Sequence, residues 1–186
     1  MDSRYIIIVV GSGLKWCVLI KGVGCLRRED KYPDTSTFHY FNANPHKRIT
    51  GDCIIRAIST ATGIPYNDVV MEMAKLQCET GYDADGLIDR YLKSKGWIKN
   101  KQPKREDGTK YTGKDFCKVL QKHFPLDVDG AMTFDGIEIT HRIVANIGGH
   151  HIVAIMDGKV WDIWNSTDGC IGNYWTTWPD NSDEKG

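Results

Sequence analysis

Neither sign of charge is in surplus, since Lys plus Arg and Asp plus Glu each total 24. The basic excess that drives binding to a phosphate backbone or an anionic membrane surface is therefore missing. Cysteine is sparse. Cys17, Cys25, Cys53, Cys78, Cys117 and Cys170 are widely spaced, with no CxxC pair. That spacing excludes a dense disulfide framework, disfavours a zinc ribbon or finger, and places the chain in a reducing compartment, the cytoplasm. No apolar run reaches the roughly 20 residues of a membrane helix. The longest uncharged stretch in the greasy amino terminus, Tyr5 to Leu14, is followed by Lys15 and Lys21. There is no internal repeat, and Gly11-Ser12-Gly13 and Gly22-Val23-Gly24 lack the strand-to-helix context of a nucleotide-binding loop. No organic cofactor or metal is expected.

What is present is enough for one domain. The 186 residues are 41% hydrophobic, with 6 Trp, 8 Tyr and 5 Phe, so a sizeable core can be buried. Residues 1–37 are expected to form an appendage, a β-hairpin turning at Gly11-Ser12-Gly13 followed by a linker from Gly22 to Asp34. Residues 38–178 form the compact unit and 179–186 a polar tail.

The first half of that unit reads as helical. Ile54, Ala57, Ile58 and Ala61 recur at helical spacing behind Thr50-Gly51-Asp52, where Thr50 or Asp52 can cap, and Gly63 supplies a stop. Cys53 then occupies the first turn. Further helices are expected from Pro65 to Gln77, Asp85 to Lys95 and Thr112 to His123, the last stopped by Pro125. The basic run Lys99, Lys101, Lys104 and Arg105 reads as a solvated loop.

The second half changes period. Runs rich in Ile, Val and Trp cover Ile137 to Ile147, His150 to Met156, Lys159 to Trp164 and Asn173 to Trp178. Asp157-Gly158 between two of them predicts a type I′ hairpin. Helices followed by an antiparallel sheet make an α+β fold. Trp161, Trp164, Trp175 and Trp178 crowd these strands, where large aromatics pack cores and cross-strand pairs.

A thiol at a helix amino terminus is favoured as thiolate by unpaired backbone N–H groups and the helix dipole, which makes Cys53 a candidate nucleophile. Its base must come from the sheet half. If Asp157 and Gly158 are the loop, Met156 pairs with Lys159, and His151 and Asp162 become diagonal neighbours on one face. His150 then lies opposite Asn165 on the other face. Either pair can serve, because a nucleophilic Cys works with His and Asp or with His and Asn.

Gly51-Asp52-Cys53 with Arg56-Ala57-Ile58, then His151 to Ile155 with Asp157-Gly158-Lys159, then Asp162-Ile163-Trp164-Asn165-Ser166 resemble the papain-like cysteine peptidases. The likeness spans Asn42 to Trp175 and is nearest to the small versions found in bacteriophage and bacterial genomes. It implies a papain-like fold, a Cys53-His151-Asp162 triad, a protein or peptide substrate, and hydrolysis of a peptide or isopeptide bond in the cytoplasm of a bacterial host. It favours His151 and Asp162 over His150 and Asn165. Papain has Gln six residues before its nucleophile, as an oxyanion donor, where this chain has Lys47. By analogy Asn44 is the candidate donor, with the Cys53 backbone N–H beside it. An acyltransferase or transglutaminase, or a non-catalytic binding module on the same fold, are the competing expectations.

Overall fold

The computed structural model describes residues 27–123, 132–134, 137–139 and 142–177. The expected hairpin around Gly11-Ser12-Gly13, the polar tail and Trp178 lie outside the described residues. Among the described residues the helices are α1 (Arg28–Lys31), α2 (Cys53–Thr62), α3 (Tyr66–Thr80), α4 (Ala84–Ser94) and α5 (Gly113–His123). The strands are β1 (Phe38–Tyr40), β2 (Ile98–Asn100), β3 (Met132–Phe134), β4 (Ile137–Ile139), β5 (Arg142–Ile147), β6 (His151–Met156), β7 (Lys159–Asp162) and β8 (Ile171–Thr176).

Six strands form one sheet in the order β1-β7-β6-β5-β8-β2, and β3 pairs with β4 apart from it. The fold is α+β, but the sheet is mixed rather than antiparallel, and its edge strands lie outside the carboxy-terminal half. β1 comes before the helices and runs parallel to β7, pairing Phe38 with Val160 and Tyr40 with Asp162. β2 lies in the segment expected to be a basic loop and pairs with β8. Both departures have one cause. Three-residue edge strands, one of them Ile-Lys-Asn with two exposed positions, are too short and too polar to show a period of two.

The sheet is covered on both faces, which explains the unbroken apolar run His-Ile-Val-Ala-Ile-Met of β6. On one face Val144, Ile152, Ala154 and Trp175 pack with Ala57, Ile58 and Ala61 of α2, Val69 and Met73 of α3, and Leu87, Ile88 and Leu92 of α4. On the other, Ile143, Val153, Ile155, Val160 and Ile171 pack against Phe116, Cys117 and Leu120 of α5. Each Val, Leu, Ile, Phe or Met side chain among them taken from water contributes about 1.5–3 kcal/mol. The thirteen-atom ladders of α2–α4 are thereby anchored by their apolar stripes, and α2 in particular is pressed lengthwise on β6.

The hairpin between β6 and β7 has the expected register, with Met156 opposite Lys159, Ile155 opposite Val160 and Ala154 opposite Trp161. Asp157 (φ 53°) and Gly158 (φ 65°) both take the positive φ that a type I′ loop demands. α5 clamps this turn, since Gln121 Nε2 donates to the Gly158 carbonyl at 2.8 Å and to the Ser36 carbonyl at 2.7 Å.

Residues 27–37, expected to end an appendage, are docked on the body. Arg28 Nε donates to the Ile163 carbonyl at 2.9 Å, Thr37 is buried, and Val160 N donates to the Thr37 carbonyl at 2.9 Å. The amino-terminal segment is thus fastened to the strand that carries Asp162.

Candidate active site

Cys53 opens α2, with Asp52 at the preceding cap position. The expected side-chain cap is not made, and neither is one from Thr50. Instead the Asp52 carboxylate is turned aside into a buried network. One oxygen pairs with Arg56 one turn along the helix. The other accepts from Tyr66 OH at 2.7 Å and from Asn44 Nδ2 at 3.0 Å. No side-chain cap therefore consumes the first N–H groups of α2, and that of Ile54 turns to the thiol instead.

The Cys53 sulfur is half-buried and bonds the His151 ring together with the backbone N–H groups of Ile152 and Ile54. His151 begins β6, and its Nε2 lies 2.6 Å from Asp162 Oδ2 at the end of β7. Because Asp162 occupies Nε2, Nδ1 is the ring nitrogen left for the sulfur. Asp162 is itself fully engaged. Its Oδ1 accepts from the Ile163 N–H at 2.7 Å, and its Oδ2 also accepts from Ser166 Oγ at 3.0 Å. With Asp162 only 5% exposed, the carboxylate has no freedom to leave the imidazole.

The electrostatics favour an ion pair. Burial by itself would push the Cys53 thiol up, but the hydrogen bond and charge of His151 and the two backbone donors outweigh it, so the thiol lies below its ordinary range. Burial by itself would push His151 down; the hydrogen bonds to Asp162 and Cys53 and their charges overcome this and raise it to about 9. Both shifts favour thiolate with imidazolium at neutral pH. Cys117 offers the contrast: buried in hydrocarbon, its thiol is pushed up to about 12.

The alternative pair is not assembled. His150 is exposed in the turn Gly148-Gly149-His150 before β6, and the Asn165 carboxamide oxygen accepts from the Thr167 N–H and hydroxyl. Asn44, the expected oxyanion donor, is buried with its amide nitrogen directed to Asp52 and to Tyr66 OH, while its carbonyl oxygen accepts from the His46 N–H. It braces the loop before the nucleophile rather than facing the sulfur. Lys47 is turned away as well, with Nζ donating to the Asn42 carbonyl at 2.8 Å.

Three contributors were invisible as such in the sequence. Ser166 holds Asp162 from four residues along a turn. Arg56, 6% exposed, neutralises Asp52 and also feels the charge of Asp162. Trp164, expected in the core with the other tryptophans, is 37% exposed and lies beside the His151 ring, centroids 5.1 Å apart. The hairpin register was the available signal, since counting outward from Asp157-Gly158 sets Trp164 opposite His151.

Among the described residues no group of three His, Cys, Asp or Glu side chains is placed to hold a metal ion, and no helix is long and apolar enough to cross a membrane. We find no family model, curated protein or solved structure that matches this chain.

Proposed function

We propose that the chain is a cysteine hydrolase of the papain-like kind that cleaves a peptide or isopeptide bond through Cys53, His151 and Asp162. The observation that carries this reading is the sulfur at the head of α2 bonded to an imidazole whose far nitrogen is held by a buried carboxylate at 2.6 Å.

In the first step the Cys53 thiolate attacks the carbonyl carbon, and a negative oxygen develops beside the Cys53 backbone N–H at the start of α2. The C–N bond then breaks, and the proton on His151 Nδ1 passes to the departing amine, leaving a thioester. Water attacks next and gives a proton to His151. The C–S bond breaks, releasing the acid and restoring the thiolate–imidazolium pair. Asp162 keeps the ring in the tautomer and orientation that both proton transfers need.

A non-catalytic module is the second reading, favoured by one observation: the amide of Asn44, the expected oxyanion donor, is engaged by Asp52 and Tyr66. One experiment separates the two. Iodoacetamide at neutral pH, followed by peptide mapping, should alkylate Cys53 at least tenfold faster than the exposed Cys78 and Cys170. Equal rates would favour the module.

A further inference from the structure

A cavity of about 380 Å³ opens on the helical face of the sheet, walled by Ile152 on one side and by Ile88 and Trp175 below. Ile152 is the residue whose backbone N–H bonds the Cys53 sulfur, so cavity and thiol share a wall. We propose that this cavity binds the acyl-side residue of the substrate, and that it selects an uncharged carboxamide side chain, glutamine or asparagine. The inference rests on Cys53 being the nucleophile.

The side of the scissile bond follows from strand order. His151 leans toward β7, where Asp162 holds it, and the amine that it protonates must leave on that side. The cavity lies across β6 in the other direction, over β5, β8 and β2, through Asn146, Gly172 and Lys99. A group bound there remains attached to the carbonyl after the amine has gone.

The chemistry of the occupant follows from which polar atoms are already engaged. Asn146 Nδ2 donates to the Gly149 carbonyl and Gln102 Nε2 to the Ile171 carbonyl. A carbonyl can only accept, so these bonds fix both amides with their oxygens left over. Among the described residues neither oxygen accepts a hydrogen bond. The single charged group on the wall, Lys99, is neutralised from behind by Asp89 at 3.1 Å, and the same carboxylate receives Trp175 Nε1 at 2.8 Å. Besides the adaptable carboxamide of Asn173, the lining therefore offers two fixed acceptors and an ammonium donor whose charge is balanced.

A carboxamide satisfies all three, its NH₂ donating to the Asn146 and Gln102 oxygens and its oxygen accepting from Lys99 Nζ. A carboxylate would have to compete with Asp89 for Lys99 and would face two carbonyl oxygens. An ammonium would meet Lys99, and an apolar side chain would cover three polar groups without satisfying them. Gly172 keeps the space open, because a Cβ at that position would come within 3.1 Å of Asn146 Oδ1.

The test uses the full chain and peptidyl vinyl sulfones, which occupy only the acyl side, with Gln, Asn, Glu, Lys or Leu at the residue next to the warhead or the one before it. Rates of Cys53 modification are read by mass spectrometry. The Gln or Asn compound should react at least tenfold faster than the Glu, Lys and Leu compounds. Lys99→Met and Gly172→Val should each bring the series within threefold of one another while the iodoacetamide rate stays unchanged. Fast modification of Cys53 with no dependence on the side chain, a preference for Glu, Lys or Leu, or a preference that survives both substitutions, overturns the subsite and leaves the nucleophile standing. Failure of every compound and of iodoacetamide to favour Cys53 over Cys78 and Cys170 overturns the hydrolase reading itself.

Discussion

Asp162 grips His151 from below while Ser166 and the Ile163 N–H grip Asp162, so that the ring's position is set by the end of one hairpin and not by the helix that carries the thiol. Asp162→Asn keeps the shape and removes the charge. The variant should lose about 10²–10⁴-fold in the rate of Cys53 acylation and also melt at a lower temperature, because the ion pair with His151 goes with the charge. Stopped-flow kinetics with an activated ester substrate measure this, and a loss below threefold would remove Asp162 from the mechanism.

His150 and His151 are adjacent in sequence and opposite in consequence. His151→Ala should abolish turnover and slow iodoacetamide alkylation of Cys53 to the rate of an ordinary thiol. His150→Ala, on an exposed turn, should leave both within twofold. Equal damage from the two substitutions would contradict the geometry.

The pH dependence follows from the directions of the two shifts. Alkylation of Cys53 should persist at pH values where ordinary thiols are already protonated, because its own proton is lost below the usual range. His151 is held at about 9, above its ordinary 6.5. Its ion-pair contribution to stability is therefore present in full below about 6.5 and disappears as pH rises through about 9. The difference in melting temperature between the wild type and His151→Gln should shrink across that interval, and a difference that grows instead would reverse the assignment.

Arg56 is the buried counter-charge of Asp52. Arg56→Met should destabilise the protein by about 3–5 kcal/mol, because it leaves the carboxylate in a poorly solvated position without its cation. Adding Asp52→Asn should recover more than half of that loss. Urea unfolding of the single and double variants tests it, with no recovery in the double variant as the contrary result.

Trp164 is 37% exposed beside the imidazole, so Trp164→Ala removes most of an indole's buried area and should cost about 2–3 kcal/mol. Water then reaches the bond between His151 and Asp162 and weakens it. Acylation should slow about tenfold. A rate unchanged within twofold would make the indole a bystander.

Much of this site could be read from the residues. Gly51-Asp52-Cys53 ahead of the Ile54, Ala57, Ile58 and Ala61 stripe placed the thiol at a helix start, and Asp157-Gly158 fixed the register that sets His151 diagonal to Asp162. These signals are local, carried by a turn or a period within a dozen residues. The remainder depended on contacts between distant segments. β1 and β2 are too short to show a pattern, the diversion of Asn44 into the Asp52 network needs Tyr66 from another helix, and the orientation of Trp164 needs the bend after β7. Asp52 was legible as a cap by type, yet Arg56, Tyr66 and Asn44 together outcompete the N–H groups that a capping carboxylate would serve.

β1, which lies ahead of the thiol in the chain, hydrogen-bonds alongside the strand bearing Asp162, and the Phe41 N–H donates to the Asp162 carbonyl at 2.9 Å. A ribosome therefore releases Cys53 long before it makes the imidazole that bonds the sulfur and the carboxylate behind that ring, and the parallel edge pairing can form only once both ends of the domain exist. On the reading proposed above, the chain carries its nucleophile without a base until the β6–β7 hairpin has been made.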